Sequence, residues 1–270
     1  MRSGKLCVVS EHSLIAPAPA GVVREVHEVT ELARISADDP LVMWAAQGLR
    51  RSRAWRLGDA VAVAAPDISR RDRLAVRGPV DDLAPLVAHV LAEVGTSYRP
   101  FGEEAVVREL AERVPGVEFV ASFGWMDCET TPLTAGPVRW LGSDDRVTAL
   151  LEVAAPDSYA WPGHPGVRAW AGVAEGNELL SVAADAWSAP DVGFLAGVAT
   201  APAARGRGLS TVVCGFVTAE LIARCGRVAL MVDKGNESAI AVYRRLGYTY
   251  RAVAAARATT AVRAARLGAC

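Results

Sequence analysis

One stretch constrains this chain more than any other: Gly197-Val198-Ala199-Thr200-Ala201-Pro202-Ala203-Ala204-Arg205-Gly206-Arg207-Gly208-Leu209-Ser210. An apolar strand is predicted up to Thr200, and it stops at Pro202, which has no N–H to give to a ladder. A short turn with two glycines follows. A helix then begins, with apolar residues at Val212, Val213, Phe216, Val217, Leu221 and Ile222. A strand, a glycine turn and a helix start make an anion site by geometry. Free amide N–H groups converge there, and the positive end of the helix dipole faces the ligand. Glycine lets the backbone approach an anion closely, and Arg205 and Arg207 add charge-assisted contacts. The run is neither GxGxxG nor GxxxxGK[ST], so neither a dinucleotide fold nor a P-loop is supported. Taken alone, the segment also reads as a plain strand-to-helix turn.

Two motifs in order narrow the reading. Arg205-Gly206-Arg207-Gly208-Leu209-Ser210, after Val198-Ala199-Thr200, resembles the acetyl-CoA motif of the GNAT superfamily of N-acetyltransferases, Gln/Arg-x-x-Gly-x-Gly/Ala. Arg205, Gly208 and Ser210 hold its three fixed places, with a small serine replacing the last Gly or Ala. Further on, Asn236-Glu237-Ser238-Ala239-Ile240-Ala241-Val242-Tyr243-Arg244-Arg245-Leu246-Gly247-Tyr248 resembles the family's Asn-x-x-Ala-x-x-x-Tyr-x-x-Leu-Gly-Phe signature, with Tyr248 for Phe. The apolar run 228–232 reads as the strand between them. The resemblance covers residues 137–258.

The resemblance implies an α/β mixed sheet of the GNAT acyl-CoA N-acyltransferase fold. It also implies acetyl-CoA as acyl donor and transfer to a primary amine of a small molecule or peptide by direct attack in a ternary complex. Val198, Ala199 and Thr200 would form a splayed strand that pairs with the pantetheine arm, the Val198 amide polarising the thioester carbonyl. Gly206, Arg207, Gly208, Leu209, Ser210 and Thr211 would wrap the pyrophosphate. Asn236 would contact the cofactor, and it also reads as a helix N-cap. Tyr243 would protonate the departing thiolate. It also reads as a core tyrosine, because Ala239, Ile240 and Leu246 share its helical face. Some relatives carry a Glu base five residues before the Asn; here that position is Met231. Asp185, Asp191 and His164 are the remaining base candidates, each equally an ordinary surface or turn residue, and a water chain is the alternative. Trp161, Trp170 and Trp187 read either as walls of an acceptor pocket or as core.

At 270 residues and 51% apolar content, the chain is long enough for two medium domains with packed cores. The boundary is expected at the composition break Thr130-Thr131-Pro132-Leu133-Thr134-Ala135-Gly136-Pro137, giving residues 1–135, a catalytic domain 136–260 and a mobile tail 261–270. The second half is expected to run strand 138–141, helix 144–154 capped by Ser143 or Asp144, strands 167–174, 179–187 and 192–200, helix 209–224, strand 228–232, helix 237–246 and strand 248–257. A Pro-Gly-aromatic loop is expected over 156–166. In the first half, 22–35 is a helix or an extended segment and 41–49 is helical. Strands are expected at 60–65, 73–76 and 117–125, and helices at 80–94 and 103–114. This half loosely resembles a degenerate copy of the same fold, as in glycine-N-acyltransferase-like tandem enzymes. It has Arg77-Gly78-Pro79 before its helix but no full pyrophosphate turn, so it is expected to wall the acceptor cleft without binding CoA. Strand 117–125 is expected to cross between halves.

Net charge is −1, which opposes general nucleic-acid binding. The basic runs Arg50-Arg51-Ser52-Arg53-Ala54-Trp55-Arg56 and Arg70-Arg71-Asp72-Arg73 read as solvated surface, or as a docking patch for an acidic partner. The five scattered cysteines indicate neither a disulfide framework nor a metal site and fit a reducing cytosol. No signal peptide or membrane span is expected, and a cytoplasmic monomer or homodimer follows. Arg and Ala abound while Lys is confined to Lys5 and Lys234, as in a GC-rich bacterial genome. A non-catalytic acyl-CoA binder and a protein-interaction module are the competing readings.

Overall fold

Alternating small and β-branched residues, cut by glycine, proline and aspartate, divide the chain into strands, and 3.6-period runs divide it into helices. The structure, a computed structural model, describes residues 21–133, 136–142 and 145–259. The first twenty residues, the tail expected at 261–270 and the cap expected at Ser143 or Asp144 lie outside the described residues. The first half runs β1 (Arg24–Val26), α1 (Val29–Ile35), α2 (Pro40–Ala46), β2 (Arg53–Leu57), β3 (Ala60–Ile68), β4 (Arg71–Arg77), α3 (Val80–Val94), β5 (Arg99–Glu103), α4 (Glu104–Arg113) and β6 (Val117–Cys128). The second runs β7 (Arg139–Leu141), α5 (Asp145–Ala154), β8 (Val167–Glu175), β9 (Glu178–Ala186), β10 (Gly193–Thr200), α6 (Leu209–Cys225), β11 (Val228–Val232), α7 (Glu237–Arg245) and β12 (Thr249–Ala258).

The second half matches its expected elements to within one residue at each end. The first half departs in three places. Segment 22–35 is a strand and a helix in turn. β2 falls inside a run read as solvated surface: Ala54, Trp55 and Leu57 are buried, while Arg53 pairs outside with Glu25 and Glu93. β5 contains Pro100 and Gly102, which break a local strand pattern, and exists because β4 and β12 pair with it on either side.

All twelve strands join one sheet, in the order β1-β2-β3-β4-β5-β12-β6-β11-β10-β9-β8-β7. β12 therefore lies between β5 and β6, and β6, which ends the first half, lies between β12 and β11. β6 and β12 pair antiparallel along most of their lengths, from Thr249↔Asp127 to Ala258↔Val117. The connection bearing the expected boundary leaves β6 already paired with β11 of the second half. Only β4/β5 and β10/β11 are parallel pairs, each bridged by one crossover helix, α3 and α6.

The seam is filled with rings. Trp44 of α2 stacks on Phe194 of β10 at 4.6 Å and lies 5.5 Å from Trp125 of β6 and 6.5 Å from Phe101 of β5. Its indole N–H, buried, donates to the Trp187 carbonyl across the two halves at 2.9 Å. Asp39 ties the same helix to β12. One carboxylate oxygen caps α2 by accepting from the Leu41 and Val42 amides at 3.0 and 3.1 Å. The other accepts from Arg251 at 2.5 Å and from Arg77 at 3.0 Å. Burial pushes the Asp39 carboxyl up. The Arg251 contact, the Val42 amide and the Arg77 charge outweigh it and hold it below the ordinary carboxylate range.

Because that folded-state value is depressed, its contribution to stability is present above the unfolded value, near ~3.9, and is lost as pH falls through the folded value. Asp39→Asn is expected to keep the cap but leave Arg251 unpaired, costing about 3 kcal/mol. Urea melts of both proteins across pH 2–7 check this: the difference should be largest near neutrality and shrink below about pH 4.

Candidate functional site

The two parallel strands of the second half touch only at their beginnings. β10 and β11 pair at Gly193↔Val228 and Phe194↔Ala229, and no further pairing follows. β10 instead stays with β9, with a register shift between Ala196 and Ala199. The bulge turns on Gly197, which has φ +62°; a Cβ there would lie 2.5 Å from Trp170 and 3.1 Å from Ala160. Glycine serves here because no other residue accepts both that backbone angle and the indole beneath it. Beyond the bulge, Ser181 Oγ donates to the Ala199 carbonyl at 3.1 Å and bonds Thr200 Oγ1 at 2.9 Å, and the Ala201 amide donates to the Leu180 carbonyl at 2.8 Å. These contacts hold Ala199 and Thr200 to β9, and β10 faces open space on its β11 side from Leu195 onward. The opening thus starts before Val198.

At the end of β10 the chain makes one 3-10 turn (Pro202–Ala204), then the glycine turn. Gly206 and Gly208 have φ of +79° and +74°, and nothing lies within 4 Å of a Cβ built on either. Gly208 is the N-cap of α6 and supplies no side-chain cap. The first backbone bond of the helix is Val212 N–H to the Gly208 carbonyl at 3.2 Å. Among the described residues, nothing accepts from the amides of Gly206, Arg207, Gly208, Leu209, Ser210 or Thr211. Six adjacent donors at the positive end of a long helix, with open space before them, fit a diphosphate. Arg207 is held sideways by an exposed ion pair with Glu175, and Arg205 is exposed.

A cavity of about 590 Å³ occupies the gap between β10 and β11 and extends over β6 to the start of β4 and β5. Val198, Asn236 and Tyr243 line it. Asn236 caps α7, its Oδ1 accepting from the Ala239 amide at 3.1 Å, so the capping reading is realised while the side chain still faces the cavity. Tyr243 is both core and site: it is buried, packs 5.7 Å from Tyr248, and lines the cavity. Its hydroxyl has no protein partner among the described residues. Burial, and secondarily Cys214, push its phenol well above the ordinary tyrosine value, so it stays protonated.

The three base candidates lie elsewhere. Asp185 is buried and bonded to Ser188 and Arg224 at 2.5 and 2.7 Å. Asp191 pairs with Arg227 at 3.4 Å, and His164 Nδ1 accepts from the Gly166 amide at 3.2 Å. Met231 lines the cavity where a carboxylate would have stood, and the carboxylates that do line it are Asp157 and Asp233. Of the tryptophans, Trp187 lines the cavity, Trp170 supports the bulge and Trp161 packs in the core.

Residues from the first half that were not among the expected site residues complete the wall: Arg71, Arg73, Arg99 and Phe123. Arg71 and Arg73 belong to a run read as surface. The usable signal was their spacing of two, which puts both on one face of β4, opposite Leu74 and Val76. The first half's own strand-to-helix turn is built differently. Pro79, which has no N–H, is the N-cap of α3; Asp81 and Asp82 occupy the first turn; and a Cβ at Gly78 would lie 2.6 Å from Ala60. Acidic side chains stand where an anion would sit.

Residues 171–257 match the family model described as FR47-like protein. A GCN5-related N-acetyltransferase from Kribbella flavida is similar in structure, with a TM-score of 0.58 and 18% identity over 84% of this chain and 95% of that one. A Drosophila protein gives a TM-score of 0.58 and 14% identity over 90% of this chain and all of that one. No curated protein matches the chain. At these identities the likeness establishes the fold: a mixed α/β sheet of the GNAT acetyltransferase type. No helix among the described residues is long and apolar enough to cross a membrane, and none of their side chains cluster as a metal site.

Gly197→Ala is expected to lower stability by about 1–3 kcal/mol, because the methyl both meets Trp170 and sits at positive φ. Denaturant unfolding followed by tryptophan fluorescence measures the loss.

Proposed function

We propose that the chain transfers an acetyl group from acetyl-CoA to a primary amine of a small molecule or peptide by direct attack within a ternary complex. The observation that carries this reading is the conjunction of three features: a strand edge released from its neighbour and a protonated tyrosine that line one cavity, and a row of unbonded helix-terminal amides in the turn that follows that strand. The amides of Gly206, Arg207, Gly208, Leu209, Ser210 and Thr211 would hold the pyrophosphate, with Arg205 and Arg207 adding charge. The free edge of Val198, Ala199 and Thr200 would pair with the pantetheine arm. Bound acetyl-CoA supplies an acyl thioester.

This chain's residues then have two tasks. The Val198 amide, on the open side of the bulge, offers a fixed donor to the carbonyl oxygen as negative charge grows on it. The Tyr243 hydroxyl holds the proton that the departing sulfur takes up, and its raised pKa keeps that proton in place at neutral pH. Among the described residues the carboxylates on the cavity are Asp157 and Asp233, both exposed, and the amine's proton would leave past them to water. Asn236 braces the cofactor arm while capping α7. The first half reads as a degenerate copy of the same fold. In support, β1 to β5 and β7 to β11 are ordered symmetrically about the central β12/β6 pair, each half with its one parallel pair. The position of Met231 favours one other reading, a non-catalytic acyl-CoA binder. It would give tight binding with no turnover on any amine.

Gly208→Glu should abolish the rise in melting temperature that acetyl-CoA confers, whereas Gly208→Ala, equally strained but uncharged, should retain most of it. Undiminished cofactor binding by the glutamate variant would remove the basis of the assignment. Tyr243→Phe should lower turnover about 100-fold or more while shifting acetyl-CoA affinity by less than about twofold, read from thiol release and from calorimetry.

A further inference from the structure

Arg73 is 8% exposed, yet no carboxylate among the described residues pairs with it. Its Nε donates to the Ile68 carbonyl at 3.2 Å. The terminal nitrogens have no acceptor among the described residues, and they are not sealed from space: the residue lines the large cavity. The guanidinium lies 5.1 Å over the ring of Phe101 and 5.9 Å over that of Trp44. Aromatic faces offset part of the desolvation cost of such a cation but satisfy none of its N–H donors. Two more cations stand beside it. Arg99 is its direct partner across the parallel β4/β5 pair, and Arg71 precedes it by two on the same face. Arg99 makes no ion pair among the described residues, and Arg71 contacts only Tyr159, at 3.4 Å. Burial and the neighbouring arginines pull Arg73 down to about 10, against the opposing influence of Tyr159. Asp157 and Asp233 are the opposite charges on this cavity, and both are exposed and unpaired with the arginines.

A guanidinium backed by aromatic rings, with its terminal donors open only to the cavity, is set to take its acceptors from whatever enters that cavity. Its place in the cavity says which ligand. The cofactor anion site is at the glycine turn, whereas Arg73 and Arg99 enter from the first half, on the acceptor side. We propose that the acceptor amine carries an oxyanion group, a carboxylate or a phosphate, which the Arg73–Arg99 pair binds while the amine points toward Val198. This rests on the acetyl-transfer reading for the amine but not for the anion site itself. A planar guanidinium pair favours bidentate contact with such a group, and a site left with unpaired donors discriminates against the analogue that lacks it.

The test uses ω-amino carboxylates of two to six carbons, the matching ω-amino phosphonates, and the matching plain alkylamines, each at saturating acetyl-CoA. At least one acidic series should exceed its plain amine in kcat/KM by about tenfold or more, and which series does so identifies the oxyanion. Arg73→Gln and, separately, Arg99→Gln should erase that preference through KM, with the KM for acetyl-CoA unchanged. Equal rates for acidic and plain amines, or a preference surviving both variants, would overturn the proposal. A second measurement needs no turnover: calorimetric titration of butanoate, butylphosphonate and butanamide into the CoA-saturated full chain. An acid should bind where butanamide does not, and Arg73→Gln should lose it. Binding of an acid without turnover of any amine would sink the transferase reading and leave the anion site standing. Turnover of plain amines with no acid binding would do the reverse. Arg99, only half-buried, guards against a folding defect in the Arg73 variant.

Discussion

The antiparallel pairing of β6 with β12 governs the rest of the molecule. Each strand is held on its far side by a strand of the other half, β6 by β11 and β12 by β5. Separating the halves would therefore expose unpaired ladder edges on four strands, which water cannot compensate within a buried sheet. The pairing also fixes orientation. Because β5 runs antiparallel to β12, β12 to β6 and β6 to β11, the first half is inverted relative to the second. The start of β4 and β5 thus comes to the same edge of the sheet as the end of β10 and β11. Arginines at one end of the first half and the opened strand of the second could not share a cavity under any other order.

Within the second half, local backbone geometry does most of the preparation. The bulge at Gly197 and the bonds from Ser181 commit the end of β10 to β9. The strand leaves β11 because its hydrogen-bonding capacity on one side is already turned away. The same strand then runs into a turn in which positive φ at two glycines orients successive amides outward. Both features leave donors unbonded, which is unfavourable for a resting chain and favourable for one that binds an extended, phosphorylated ligand.

Burial has opposite consequences at the two polar side chains deepest in the cleft. Tyr243 is stabilised in its neutral form and remains a proton donor. Arg73 stays cationic at physiological pH even when displaced to about 10, and rests on the rings of Trp44 and Phe101. The aromatic block at the seam therefore serves twice, as core between the halves and as the floor beneath a charge.

Much of this was legible in the residues. The glycine turn, the helix it opens, the second signature at Asn236 and Tyr243, and nearly every element of the second half follow from short-range pattern, because turns, caps and amphipathic faces are local physics. Strand 117–125 was also expected to cross between the halves, and it does so as part of β6. What local pattern could not decide was partnership. β2 and β5 are strands only because neighbours pair with them. Asp185, attractive from its position, is spent on Arg224 and Ser188. Arg71 and Arg73 look like surface charge until the inverted order of the halves turns their face of β4 toward the opened strand. Sequence by itself determined where an anion could be held, since the glycine turn and the helix start are one continuous stretch of backbone. Tertiary structure alone decided what stands opposite, since that wall is assembled from strands brought together by a pairing more than a hundred residues long in sequence.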